Sequence, residues 1–310
     1  MKIYNIYGRK NKKLKKLLTF GILSTLLLVG CSQSKEEKQE KMNVSTEKIT
    51  VKSKRNTDIY ATTVVPDTKE DMPLVVMAHG FVGDREGCAN FEPLANKLAE
   101  NGIASIRIDF PGNGESKEDY TAYDLTSMTD DLDSAIAYMK DKYTIQKVGM
   151  VGHSMGGRIT SLYIDDKIDV AVLWAPAAND GLSGLYDFMG GEKAVKEMYN
   201  EAKKNGKSTF TLWGEPYVDC SLQFFEENEK SKPLENIAKY KGKLMIAVDE
   251  VDDYVSKTTT NAVIQAATDI QVLNVKNADH VFDAADGSGS QEPRQLLVER
   301  TYEFLNNNLK

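Results

Sequence analysis

The segment KVGMVGHSMGGR, residues 147–158, restricts the possible folds more than any other stretch of the chain. An apolar run leads into Gly152-His153-Ser154-Met155-Gly156, and a helical pattern follows. A serine on so abrupt a strand-to-helix turn needs glycine two residues before and two after, because there is no room for a side chain. The helix starting behind the serine aims the amide of Met155 at the place where an oxyanion would form. Such a serine reacts only if the fold also supplies a base and an acid to orient that base.

The rest of the chain supplies the sheet this turn requires. KITVKS and IYATTVV read as an antiparallel entry hairpin. Strands are expected at 73–80, 103–110, 147–154, 170–177, 243–248 and 270–277, and helices at 91–100, 121–142, 156–164, 258–267 and 293–309. The strand runs are short and continuously apolar, as in strands covered on both faces. Their alternation with helices predicts an α/β fold, a mainly parallel sheet flanked by helices. Residues 179–242 break the rhythm. They are too rich in apolar and aromatic side chains for a disordered loop, among them Leu185, Phe188, Phe210, Trp213 and Phe224. They are expected to form a helical, aromatic cap over the C-terminal edge of the sheet, where open α/β folds bind ligands.

Among 310 residues there are three histidines, His79, His153 and His280. His153 projects beside the serine rather than onto it. His79 ends a strand in AHGFVGD, an H-G arrangement in which the next amide, that of Phe81, is the second oxyanion donor. His280, in NADHVF after the last expected strand, is left as the base. The chain order serine, acid, histidine then places the acid in the loop DEVDDYV after the strand KLMIAV.

The first thirty residues carry seven basic side chains and no acid, then an apolar run too short to span a membrane comfortably. They read as a signal peptide, residues 1–30. LLVGC resembles the bacterial lipobox, which implies lipidation of Cys31 and anchoring to the outer face of the cell membrane, since two acyl chains hold stably. Residues 31–47 are polar and read as a flexible tether, with the catalytic domain at 48–310. Seven of the 39 basic residues fall in the leader and all 46 acids lie beyond it, so the remainder carries a formal charge of −14. That argues against nucleic acid as a partner. Beyond Cys31 only Cys88 and Cys220 remain; one disulfide is arithmetically possible. No CxxC or HExxH spacing appears, and neither metal nor cofactor is expected.

From Met77 to His280 the chain resembles the serine α/β-hydrolases and, more narrowly, bacterial cinnamoyl (feruloyl) esterases. The stretches that carry the resemblance are HGFVGDREG, LAENGIASIRIDFPGNGES, VGHSMGGR, LWAPAA and NADHVF. It implies an α/β-hydrolase fold and hydrolysis of a small-molecule ester through an acyl-enzyme. Ser154 is then the nucleophile and His280 the base, and the amides of Phe81 and Met155 form the oxyanion hole. The family's acid loop reads H-G-x-x-D-x-x-V. Setting Val255 on the final valine puts Asp252 on the acid, with Val248 and Asp249 in place of His-Gly. Losing that glycine leaves Asp249 and Asp253 open as alternatives. In the cap, Tyr217 and Asp219 are candidates for substrate contact. Asp109 and the glycines of DFPGNGES read as structural. Related hydrolases also cleave peptides, and Glu215, Asp219, Glu226 and Glu227 offer acids for a free-amine pocket.

Overall fold

The structure is a computed structural model that describes residues 42–310 apart from 69, 165 and 166. The leader, Cys31 and most of the expected tether lie outside the described residues. In chain order the strands are β1 (Val44–Lys52), β2 (Asp58–Pro66), β3 (Met72–Ala78), β4 (Ala104–Ile108), β5 (Ile145–His153), β6 (Val170–Trp174), β7 (Lys207–Leu212), β8 (Glu215–Ser221), β9 (Lys243–Val251) and β10 (Gln271–Asp279). The helices are α1 (Phe91–Ala99), α2 (Leu125–Lys142), α3 (Met155–Tyr163), α4 (Ser183–Tyr186), α5 (Gly191–Asn205), α6 (Leu222–Lys230), α7 (Pro233–Lys239), α8 (Lys257–Ala266) and α9 (Glu292–Leu309).

The main sheet runs β1-β2-β4-β3-β5-β6-β9-β10. Its pairs are parallel from β4 through β10, while β1–β2 and β2–β4 are antiparallel. Every residue of β3 is buried. Leu74, Val76 and Ala78 join the core under α2 and α3, whereas Val75 and Met77 join the core under α1 and α9. This alternation is why the run is apolar throughout: a strand sends successive side chains to opposite faces, and here both faces are covered. Each such large side chain contributes about 2 kcal/mol by leaving water.

The element ends follow local chemistry. The structure starts α2 at Leu125, later than residue 121, because the Asp124 side chain accepts the Ser127 amide at 2.7 Å and caps it there. Tyr120–Ala122 forms a separate 3₁₀ turn. Ser221 and Ser256 cap α6 and α8 in the same way. β1 opens at Val44, paired with Pro66, so the hairpin takes in the last residues read from sequence as tether.

The insertion differs from the helical cap expected. It contains the antiparallel hairpin β7–β8. Gly206 closes α5 in the left-handed region, and Trp213 and Gly214 turn the hairpin with φ of 54° and 85°. In between, Ser208 and Phe210 are buried while Lys207 and Thr209 are exposed, a period of two. After α6, α7 returns to the sheet: Asn236 Nδ2 donates to Leu162 O on α3, and the Tyr240 hydroxyl to Ile168 O.

Candidate active site

β5 ends at His153 and α3 begins at Met155, so Ser154 alone makes the turn. Its φ of 55° and ψ of −117° lie where side chains rarely go, and the neighbours hold it there. Its amide donates to Trp174 O at 2.9 Å, and its carbonyl accepts from Ala177 N at 3.1 Å. A Cβ on Gly152 would sit 2.2 Å from Gly156 O, and one on Gly156 2.0 Å from Ala78 O. Both glycines are therefore required by packing alone. A Cβ on Gly80 would lie 3.1 Å from Ser154 Cβ, which brings the chain entering Phe81 up against the serine. Met155, first in α3, has no helical partner for its N–H. Both expected oxyanion donors thus border Ser154.

His79 braces the turn before Phe81. Its Nδ1–H donates to Gly80 O at 2.8 Å, and its Nε2 accepts from Phe110 N at 3.0 Å. Burial lowers its basicity, which suits a neutral ring with these two duties.

His280 follows β10, and its Nδ1 lies 2.9 Å from Asp252 Oδ2. Asp252 Oδ1 accepts the amides of Tyr254 at 2.7 Å and Val255 at 2.8 Å. Burial opposes ionisation of Asp252, but the His280 bond and charge and these two amides together hold it below the usual carboxylate range. Tyr254 packs on the imidazole, its ring centroid 5.2 Å away. His153, next to the serine, donates Nε2–H to the carbonyl of His280 at 2.8 Å. Burial first, then His280, pushes the His153 ring down to about 3, so it serves as a neutral donor.

The four acids of the loop separate clearly. Asp253 is exposed, and Glu250 accepts the Asn277 amide at the surface. Asp249 is 4% exposed, and burial, then the charge of Asp252, pushes its carboxyl up to about 9. Asp249, Asp252 and His280 gather oxygen and nitrogen donors within 4.8 Å of one another. Asp252 and His280 are spent on each other.

A family model described as serine aminopeptidase, S33, matches residues 69–280, well over half of the chain. The chain belongs to the serine aminopeptidase S33 family. Its likeness to an uncharacterised 31.7 kDa protein from the traX-finO intergenic region of Escherichia coli is 25% identity over 177 residues, 54% of this chain and 61% of that one. The chain spans less than two thirds of the curated relatives it matches. Among solved structures it resembles Est1E from Butyrivibrio proteoclasticus, determined with ferulic acid bound, with a TM-score of 0.70 and 18% identity over 84% of this chain and 99% of that one. The esterase domain of a Rhodothermus marinus protein gives a TM-score of 0.60 at 16% identity, over 87% of this chain and all of that one. These likenesses establish the fold.

On the S33-family sheet edge, the insertion packs directly on the serine's surroundings. The Phe81 ring meets Tyr120 and Tyr123 from the loop before α2, and Phe188, Phe210 and Phe224 from the insertion, at centroid distances of 5.3–6.2 Å. Arg158 on α3 is fully buried. It donates to Asn228 Oδ1, to Ser231 Oγ, and to the carbonyls of Ala177, Asn179 and Gly181, tying α3 to both ends of the insertion. The sequence reading missed this role, and that of His153, whose partner lies 127 residues away.

Tyr217 and Asp219 lie on β8 of the inserted hairpin. Tyr217 stands exposed at an irregularity of the pairing with β7 and Asp219 is half-buried, while Val218 and Cys220 pack inward. The Asp219 carboxylate is used within the hairpin, by Lys207 Nζ and by Thr209 Oγ1. Reading the segment as helical hid this hairpin. Cys88 and Cys220 are free. Asp109 is structural, as read: it is buried against Arg85 and accepts the amides of Arg85 and Glu115. A Cβ on Gly114 would lie 2.3 Å from its carboxylate.

Proposed function

We propose that the protein is a serine carboxylesterase acting on esters with a bulky, aromatic acyl group, anchored outside the cytoplasm through Cys31. The observation that carries the chemistry is the buried Asp252–His280 bond, tied by His153 to the strained turn at Ser154. In this reading His280 Nε2 takes the Ser154 Oγ proton as that oxygen attacks the ester carbonyl carbon. The amides of Phe81 and Met155 receive the oxyanion. The C–O bond to the alcohol breaks, and the alcohol leaves with the proton from His280. Water then repeats the sequence on the acyl-enzyme and frees Ser154. Asp252 keeps His280 in the Nδ1–H tautomer and stabilises its cation.

The aromatic nest on Phe81 supports an aromatic acyl group, as does the ferulic acid in the Est1E structure. A leader of signal-peptide type ending in LLVGC supports export and anchoring. Fluorophosphonate should label Ser154, and the wild type should hydrolyse p-nitrophenyl acetate and methyl ferulate while Ser154→Ala does neither. Absence of both labelling and hydrolysis in the wild type would sink the reading.

The family description favours a second reading, aminopeptidase cleavage by the same residues. Against it, two of the four acids expected to meet a free amine are engaged elsewhere. Asp219 bonds Lys207 and Thr209, and Glu227 takes the amide and hydroxyl of Thr126. Release of naphthylamine from aminoacyl naphthylamides, without hydrolysis of the matching esters, would decide for it.

A further inference from the structure

We propose that Asp249 is a positioning residue, a neutral carboxylic acid that shares a proton with Asp252 and fixes the acid loop beneath His280. The proposal rests on the hydrolase reading above and extends it to a residue with no part in that mechanism. β9 runs on to Val251 beside β10, and this continuation buries Asp249, in register with Val275. One of its oxygens, Oδ2, is buried with no hydrogen-bond partner among the described residues. An Asp249 oxygen nevertheless lies within 4.8 Å of both Asp252 and His280.

Two carboxylates this close in a dry site do not both ionise. Which one keeps the proton follows from the donors. Asp252 accepts three hydrogen bonds, from His280 Nδ1 and the amides of Tyr254 and Val255, and these select its charged form. Asp249 has no comparable set, so the proton stays there. A carboxylate offers about four acceptor positions, and three on Asp252 are filled. The fourth accepts the hydrogen of Asp249. Held on both edges, the Asp252 carboxylate cannot rotate away from the imidazole.

The titratable groups around this pair are Tyr254 from the loop after β9, Asp279 at the end of β10, His280 directly after it, and His153 from β5 behind the imidazole. None is a lysine or arginine. Burial and the negative charges of Asp252 and Asp279 all favour the neutral form, and the carboxyl rises to about 9. As pH passes that value a second buried negative charge forms beside Asp252, and the loop that aims it should open.

The test is kcat and KM on p-nitrophenyl acetate from pH 6 to 10.5 for wild type, Asp249→Asn and Asp249→Ala, with the thermal midpoint of each recorded. The wild type should lose kcat through an inflection near pH 9. Asp249→Asn, whose amide still donates, should keep kcat within about threefold at pH 7 and lack that inflection. Asp249→Ala should lose kcat roughly tenfold or more with KM nearly unchanged. Infrared spectra of the wild type alone should show a carboxylic-acid carbonyl band at pH 7.5 that titrates away near pH 9. An Asp249→Asn variant as damaged as Asp252→Asn, an inflection common to both proteins, an Asp249→Ala variant equal to wild type, or the absence of the infrared band would each overturn the proposal. All of these leave an active wild type, so they are distinct from failure of the hydrolase reading, in which the wild type itself neither hydrolyses esters nor is labelled.

Discussion

Asp252 and Asp253 are neighbours of identical chemistry, yet the fold gives them opposite circumstances. Asp252 points into the sheet edge and onto His280, whereas Asp253 faces water. Asp252→Asn keeps the shape but removes the charge that stabilises an imidazolium and selects its tautomer. It should lower kcat by on the order of 10³–10⁴-fold. Asp253→Asn should stay within about twofold, as surface substitutions do. Steady-state kinetics on both, at matched thermal midpoints, checks this, and an equally damaged Asp253→Asn would overturn the assignment. Asp252 was legible because its spacing to Val255 has a mechanical reason: the carboxylate turns back to accept the amides two and three residues on. His280 was legible because the chain holds so few histidines. The burial of Asp249 was not, since in sequence it is one more acid in an acid-rich loop. Only the continuation of β9 past Val248 encloses it.

At the level of elements, the parallel sheet and its crossover helices could be read because each buried strand is a continuous apolar run bounded by turn residues. The insertion could not. Its apolar residues serve helices, a hairpin and the contact with Phe81 at once, so they carry no single period. The one local clue was the alternation KSTFTL between Gly206 and Gly214. What attaches the insertion is Arg158, a buried cation surrounded by neutral oxygens, and burial lowers its affinity for the proton to about 10. Gly184 is needed beside it, since a Cβ there would stand 1.9 Å from Arg158 Nη1. Arg158→Met should leave Asn228 Oδ1 and several cap carbonyls without donors. The cost should be about 3 kcal/mol, or a fall in thermal midpoint of roughly 5–10 °C for a domain of this size. Because the loosened ends carry Phe188 and Phe224, KM for a bulky aromatic ester should rise more than KM for p-nitrophenyl acetate. Calorimetry and the paired KM values test this, and an unchanged midpoint would show that Arg158 does not hold the cap.

For the whole molecule the question is whether attachment and catalysis are separable. Every side chain used in the proposed chemistry lies within residues 42–310, and the first described strand begins at Val44. That part of the chain has little electrostatic reason to adsorb to a membrane. Residues beyond the leader carry a formal charge of −14, and the inner-leaflet and surface charge of membranes is negative too. Among the described residues no helix is long and apolar enough to cross a bilayer. On the proposed anchoring, membrane association should come from the first thirty-one residues, through acyl chains on Cys31, because one peptide-bound chain binds marginally and two bind stably. The expected result for Cys31→Ala is loss of the protein from the membrane fraction, while kcat/KM of the purified protein on p-nitrophenyl acetate stays within about twofold. High salt should not release the wild type, since the bond to the membrane is apolar rather than ionic. If Cys31→Ala stays with the membrane, an uncleaved leader is the anchor and the lipid proposal fails. If it is released but its turnover collapses, attachment and catalysis are coupled after all.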